Sequence, residues 1–177
     1  IGVIGAGTMG SGIAITAALA GVEVCQVDVS QGQLDNARAY HEKTVGRNVK
    51  KDRMTQSEAD ATLARICYCT ESCRAAESSF AIEAATENEP LKKKIFASMV
   101  ETYPSNCILA TNTSSISITS IANSADIASD RIIGMHFFNP VPVMKLVEVI
   151  KCPATSQDTL NRTLALGEMM GKTPITA

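Results

Sequence analysis

The sequence predicts an α/β fold: a doubly wound, mostly parallel sheet with helices on both faces. Three observations carry this. Apolar runs of strand length alternate with longer stretches of helical periodicity from Ile1 to Ala177. A glycine-rich turn, "GAGTMG", joins the first strand to the first helix. An acidic residue, Asp28, stands 18 residues after Gly10 at the end of the second strand, close to the roughly 20 residues expected for a ribose-binding acid.

Each element has its own signal. "IGVI" reads as a short buried strand that Gly5 stops. "TMGSGIAITAALA" has apolar residues at helical spacing and ends at Gly21, a C-cap glycine. "VEVCQVDV" is the second strand. Ser30 caps a long polar helix from Gln31 to about Lys51, and a second helix follows near Ser57 to Ala64. "ICYC" is a weak strand and "SSFAIEAAT" a stronger one. Asn88 caps the next helix, with Pro90 in its first turn, where proline is tolerated. "NCILATN" is a strand, "SITSIAN" a short helix and "RIIGMHF" a strand. A further strand runs from Lys145 to Ile150, a helix from about Gln157 to Met170, and "KTPITA" closes with another strand. The sequence shows no internal repeat and no low-complexity linker. His41 and the charges around it read as the solvated face of the polar helix.

Size and composition bound the function. The 177 residues suffice for one domain with a real core. A net charge of −2, from 16 basic and 18 acidic residues, excludes a nucleic-acid partner held by bulk charge. No apolar run approaches the roughly 18 residues of a membrane span, so no membrane partner is expected. Both ends read as cut: Ile1 already lies inside a strand, so any targeting segment is out of view. The six cysteines cluster only in "CYCTESC". That spacing lacks the paired C-x-x-C of structural zinc sites, and no nearby His completes four ligands. Free thiols in a reducing compartment, a mitochondrial matrix or a bacterial cytoplasm, are favoured over a metal or a disulfide.

The turn addresses a dinucleotide. Gly5, Gly7 and Gly10 keep G-x-G-x-x-G spacing between a strand and a helix. Gly5 permits the tight turn, Gly7 lets the backbone approach a pyrophosphate, and Gly10 lets the helix pack on the strand. Thr8 and Met9 open the helix, whose free N–H groups favour an anion. Asp28 accepts from ribose hydroxyls and repels a 2′-phosphate, and "DVSQG" offers no cation beside it, so NAD is favoured over NADP. This makes the domain Rossmann-type.

A second constellation sits at the strand ends, where ligands bind in open parallel sheets. His136 ends "RIIGMH", Ser114 and Ser115 follow "CILATN", and Glu87 and Asn88 follow "AIEAAT". In the strand after His136, Leu146, Glu148 and Ile150 share one face. A carboxylate on an apolar face needs a partner, and His136 is the natural one. Together they suit proton abstraction from an alcohol during hydride transfer. A core histidine bonded to backbone, with Glu148 at an exposed edge, fits the pattern equally well. Lys92, early in the "LKKKIF" helix, opposes the helix dipole and points to ligand chemistry. Lys93 and Lys94 read as a solvated face.

"GAGTMGSGIA", "EAATEN", "NTSS" and "HFFNPVPVMKLVEVI" together resemble the NAD-binding N-terminal domain of the 3-hydroxyacyl-CoA dehydrogenases, of the 3-hydroxybutyryl-CoA type, over nearly the whole chain. The resemblance implies oxidation of L-3-hydroxyacyl-CoA to 3-ketoacyl-CoA by NAD, in fatty-acid β-oxidation or butyrate-type metabolism. It implies His136 as the base, Glu148 as its orienting carboxylate and Ser114 against the reacting oxygen. Asp28, Glu87, Lys92 and Asn139 are implied along the cofactor and its nicotinamide end. Members continue into a C-terminal helical domain that closes the substrate cleft and makes most of a homodimer contact, which implies that residues 1–177 are the cofactor half. Rivals are another β-hydroxyacid dehydrogenase, the same domain in a multifunctional fatty-acid oxidation protein, or a non-catalytic, crystallin-like nucleotide-binding module. The first tends to use a lysine base that no helix here presents suitably. Retention of both His136 and Glu148 speaks against the last.

Overall fold

In the computed structural model the chain runs β1 (Gly2–Ile4), α1 (Thr8–Leu19), β2 (Val24–Val27), α2 (Gln31–Lys50), α3 (Gln56–Ala64), β3 (Ile66–Cys69) and β4 (Phe80–Glu83). It continues through α4 (Glu89–Thr102), β5 (Ile108–Thr111), α5 (Ile118–Ser124), a 3-10 helix (Asp126–Arg131), β6 (Ile132–Phe137), β7 (Leu146–Ile150), α6 (Gln157–Met169) and β8 (Thr173–Thr176). The structure describes residues 1–71, 75 and 77–177, apart from the side chain at 127.

The strands form one sheet in the order β3-β2-β1-β4-β5-β6-β7-β8. β1 to β6 are mutually parallel, β7 runs antiparallel to β6, and β8 follows β7. The sequence reading places no helix between the His136 strand and the next, and the turn after β6 indeed brings β7 straight back beside it. The strands are also shorter than their apolar runs. "VEVCQVDV" pairs only over Val24–Val27, because the chain then leaves the sheet and Val29 is 93% exposed.

Each face of the sheet carries its own core. Val3, Ile82, Met135, Val147 and Val149 pack with α1 and α6; Val27, Leu109 and Ile132 pack with Phe96 of α4 and Ile121 of α5. Full burial of such a side chain contributes about 1.5–3 kcal/mol. α1 is buried continuously from Gly10 to Ala18, which its small residues allow. α2 buries a single stripe, Leu34, Ala37, His41 and Val45, at the spacing of one helical face.

The helix starts match the cap signals. Ser30, Asn88 and Ser156 accept from Gln33, Leu91 and Thr159 backbone N–H groups, and Thr55 with Glu58 completes a capping box. Gly21 takes a positive φ of 87°, as a C-cap glycine should.

His41 is not on the solvated face. It is fully buried, with Nε2 bonded to the Ser11 carbonyl at 2.9 Å and Nδ1 to the Tyr68 hydroxyl at 2.7 Å. The carbonyl only accepts, so Nε2 carries the proton and Nδ1 accepts from Tyr68. Burial lowers the pKa of this ring.

Candidate active site

The phosphate turn is built from the strand outward. Gly5 takes a positive φ of 110°, and a Cβ there would meet the Ala84 carbonyl oxygen at 2.6 Å. A Cβ on Gly10 would collide with the Gly5 carbonyl oxygen, so glycine sets the close approach of α1 to β1. A Cβ on Gly7 would meet nothing within 4 Å, so the turn opens there to space that a pyrophosphate can enter. Gly7 is the N-cap of α1, no side chain caps it, and Thr8 and Met9 follow in the first turn. The free N–H groups fit an anion. From beneath, buried Gln26 donates to the Gly5 carbonyl at 3.1 Å and Ser11 donates to the Ala6 carbonyl at 3.2 Å.

Asp28 ends β2 with its carboxylate already aimed. Oδ2 accepts from Ala6 N–H and Oδ1 from Ser30 N–H, both at 2.9 Å. Each oxygen keeps capacity for a ribose hydroxyl. Beside Asp28 lies a recess of about 390 Å³ lined by Val27, Val29, Leu91, Ile95 and Met99. No lysine or arginine lines it among the described residues, so a 2′-phosphate finds no cation. These features fit NAD.

Two of the catalytic candidates meet at the carboxyl edge. His136 and Glu148 are register partners across the antiparallel β6–β7 pair, and directly opposed side chains in such a pair meet. His136 Nδ1 lies 2.9 Å from Glu148 Oε2. The carboxylate accepts, so Nδ1 donates and Nε2 is left for another partner. The Phe138 ring lies 4.7 Å from the His136 ring and limits its swing. Of the two arrangements that fit the strand pattern, the structure shows the pairing, but the supporting reason needs correcting. The sealed face of β7 is Val147 and Val149, and the side chain of Glu148 is 34% exposed, that of His136 18%.

The other candidates come from neighbouring strand ends. Glu87 accepts from Thr113 at 2.8 Å and from Ser115 at 3.2 Å, tying the loops after β4 and β5 together. Ser114 stands exposed between those two hydroxyls. Asn139 lies three residues beyond His136 and shares a recess with Gly7 and Thr8. The Asn139–Pro140 peptide is cis. Lys172 donates to the carbonyls of Val141 and Met144 and pins this loop. Lys92 lies not on the crevice wall but beneath it, 1% exposed, ion-paired to Glu83 and bonded to Thr111 at 3.2 Å.

Several supporting residues had no place in the sequence reading. Glu83 is fully buried, and its other oxygen accepts from Ala85 N–H at 2.9 Å, which shapes the loop leading to Glu87. Asn112 accepts from Phe137 N–H at 2.8 Å and locks the end of β6 beside His136. Thr113 accepts from Ile116 N–H at 3.1 Å and fixes the "NTSS" loop. Gln26 and Glu83 could have been found as lone polar residues inside apolar strands. Asn112 and Thr113 left no signal beyond lying at a strand end.

The comparisons with known proteins agree with this fold. The family described as "3-hydroxyacyl-CoA dehydrogenase, NAD binding domain" matches residues 1–177. A probable 3-hydroxybutyryl-CoA dehydrogenase of Bacillus subtilis is 43% identical over 98% of this chain and 60% of its own length. The fatty acid oxidation complex subunit alpha of Psychrobacter arcticus is 39% identical over 98% of this chain and 24% of its own. The crystal structure of (S)-3-hydroxybutyryl-CoA dehydrogenase from Ralstonia eutropha superposes with a TM-score of 0.96 at 44% identity, covering 99% of this chain and 62% of that one. The chain thus spans less than two thirds of these relatives. With the match spanning residues 1–177, the chain belongs to the NAD-binding domain family of the 3-hydroxyacyl-CoA dehydrogenases.

Proposed function

We propose that residues 1–177 are the cofactor half of an enzyme that oxidises L-3-hydroxyacyl-CoA to 3-ketoacyl-CoA, in fatty-acid β-oxidation or butyrate-type metabolism. The observation that carries this reading is the His136–Glu148 pair at the carboxyl edge of the sheet, three residues from Asn139 and its recess with the phosphate turn. When bound, NAD supplies the hydride acceptor. The residues of this chain supply the rest. Gly5, Gly7, Thr8, Met9 and Gly10 hold the pyrophosphate, and Asp28 holds the adenosine ribose. Glu148 keeps the His136 proton on Nδ1, so Nε2 offers its lone pair to the substrate hydroxyl. As C3 loses its hydride, Nε2 takes the hydroxyl proton and the C–O bond becomes the ketone. The imidazolium then stands against the Glu148 carboxylate, which stabilises charge where it develops. Ser114 and Asn139 bring polar groups to the reacting oxygen and the nicotinamide end. Glu87 braces the loop between them, and Lys92 acts through Glu83 on that same loop.

The relatives are longer than this chain. On this reading the remainder of the full-length protein holds the acyl-CoA, closes the cleft and makes the homodimer contact. The match to the fatty acid oxidation subunit supports a second setting, the same domain within a multifunctional protein. Free thiols at Cys25, Cys67, Cys69, Cys107 and Cys152 suit a reducing compartment. The test is turnover. Full-length protein should reduce acetoacetyl-CoA with NADH, whereas residues 1–177 alone should bind NADH, remain monomeric and turn over poorly. Full activity from residues 1–177 would mean that the substrate is held elsewhere than proposed, and no activity in the full-length protein would refute the assignment.

A further inference from the structure

The edge of the sheet gathers three thiols. Cys25 lies on β2, and Cys67 and Cys69 on β3. The parallel register sets Cys25 opposite Cys67 and Val27 opposite Cys69. Side chains alternate along a strand, so all three sulfurs emerge on the face covered by α4, packed with Phe96 and Met99. Gln26 and Tyr68 emerge on the other face, against Ser11 and His41. The three Sγ atoms lie within 4.8 Å of one another, and those of Cys25 and Cys69 are 3.7 Å apart. Cys25 is buried while Cys67 and Cys69 are half-buried, so protein walls the cluster on one side and an ion can reach it from the other. Cys73 lies outside the described residues.

Three sulfurs bound to one ion at the usual metal–thiolate distance of about 2.3 Å stand about 4 Å apart in a trigonal plane. The cluster is already near that spacing, with 3.7 Å between Cys25 and Cys69 and no pair beyond 4.8 Å. Among the described residues no histidine nitrogen or carboxylate joins the group, and the donor set there is three sulfurs. Structural zinc takes four ligands, whereas soft thiolates without a fourth donor suit Cu(I).

We propose that Cys25, Cys67 and Cys69 form a trigonal thiolate site for Cu(I). Binding displaces the thiol protons to solvent and forms three Cu–S bonds with no change of oxidation state. The place is not remote from the cofactor. Asp28 N–H donates to the Cys69 carbonyl at 3.2 Å, and Thr70 lines the recess beside Asp28. An ion fixing Cys69 fixes the strand end that positions the ribose acid.

The test is an anaerobic titration of reduced full-length protein with Cu(I) held as its bicinchoninate complex. The protein should withdraw one Cu(I) per chain and develop an ultraviolet thiolate-to-copper charge-transfer band. Cys25→Ser, Cys67→Ser and Cys69→Ser should each weaken binding by more than about 100-fold, since losing a direct ligand costs at least as much as losing an outer-shell partner. Cys107→Ser and Cys152→Ser, both buried outside the cluster, should leave it unchanged. NADH affinity of every variant reports that the fold is intact. Should serine at buried Cys25 disturb packing, the half-buried positions decide through Cys67→Ala and Cys69→Ala. Failure to take Cu(I) from the chelator, or binding that survives loss of the cluster thiols, would overturn the site.

Discussion

Replacing Glu148 by glutamine tests the proposed chemistry most directly. The amide keeps the size of the carboxylate and can still accept from His136 Nδ1, so the 2.9 Å contact survives while the charge goes. At that separation, a unit charge opposite the imidazolium contributes about 1.5 kcal/mol if screened as in water and about 6 kcal/mol at an effective dielectric constant of about 20. Side-chain exposures of 18% and 34% place the pair between those limits. A loss near 2.7 kcal/mol corresponds to about 10²-fold in rate. In the full-length protein, Glu148→Gln should therefore lower kcat for acetoacetyl-CoA reduction by roughly 10²-fold, within the range of general acid–base effects. NADH affinity, read by fluorescence titration, should hardly move, because Asp28 and the phosphate turn are untouched. Normal turnover with intact NADH binding would refute the role of Glu148, and a matching loss of NADH affinity would mean that the substitution damaged the domain instead.

Three further outcomes follow from particular contacts. Asp28→Ala should narrow a strong preference for NADH over NADPH, since in the proposed role the carboxylate is both ribose acceptor and phosphate repeller; equal affinities in the unaltered protein would refute the assignment. His41 is held neutral by burial, with its pKa lowered, so unfolding takes up a proton in acid. Its stabilisation is full above the ordinary histidine pKa of about 6.5 and is lost as pH falls below it; denaturant melts at pH 5 and 7.5 should show this loss, and His41→Gln should flatten it. Lys92→Met leaves the Glu83 carboxylate buried without its cation, which should cost about 3–5 kcal/mol; in thermal melts much of that should return on adding Glu83→Gln, and a single variant as stable as the parent would contradict the pairing.

The tight packing of the glycine turn was legible because Gly5 and Gly10 each answer a local demand. A positive φ at Gly5 and a forbidden Cβ at Gly10 admit only glycine, and such demands are visible one residue at a time. The buried stripe of α2 was missed, because its composition hid it. Leu34, Ala37, His41 and Val45 fall on one face, yet the charges between them made His41 read as solvated. A polar residue in phase with buried apolar ones is a candidate for the interior whatever its neighbours on the helix carry.

A carboxylate inside an apolar strand needs a partner, and that rule singles out Glu83 more than Glu148. Glu83 is fully buried; Glu148 is only half so. What distinguishes them is where the partner comes from. Glu148 meets His136 because β6 and β7 are adjacent in sequence and antiparallel, so period and proximity suffice to find the pair. Glu83 meets Lys92 from the following helix and Thr111 from the next parallel strand, a crossing that no local period records. The same holds for Asn112 reaching Phe137 and Thr113 reaching Glu87. These bonds join the loops after β4 and β5 and the end of β6, and they set the relative positions of Glu87, Ser114 and His136. The His136–Glu148 contact is therefore readable from the chain, while the polar contacts that hold the neighbouring loops in register arise only when separate strands are laid side by side.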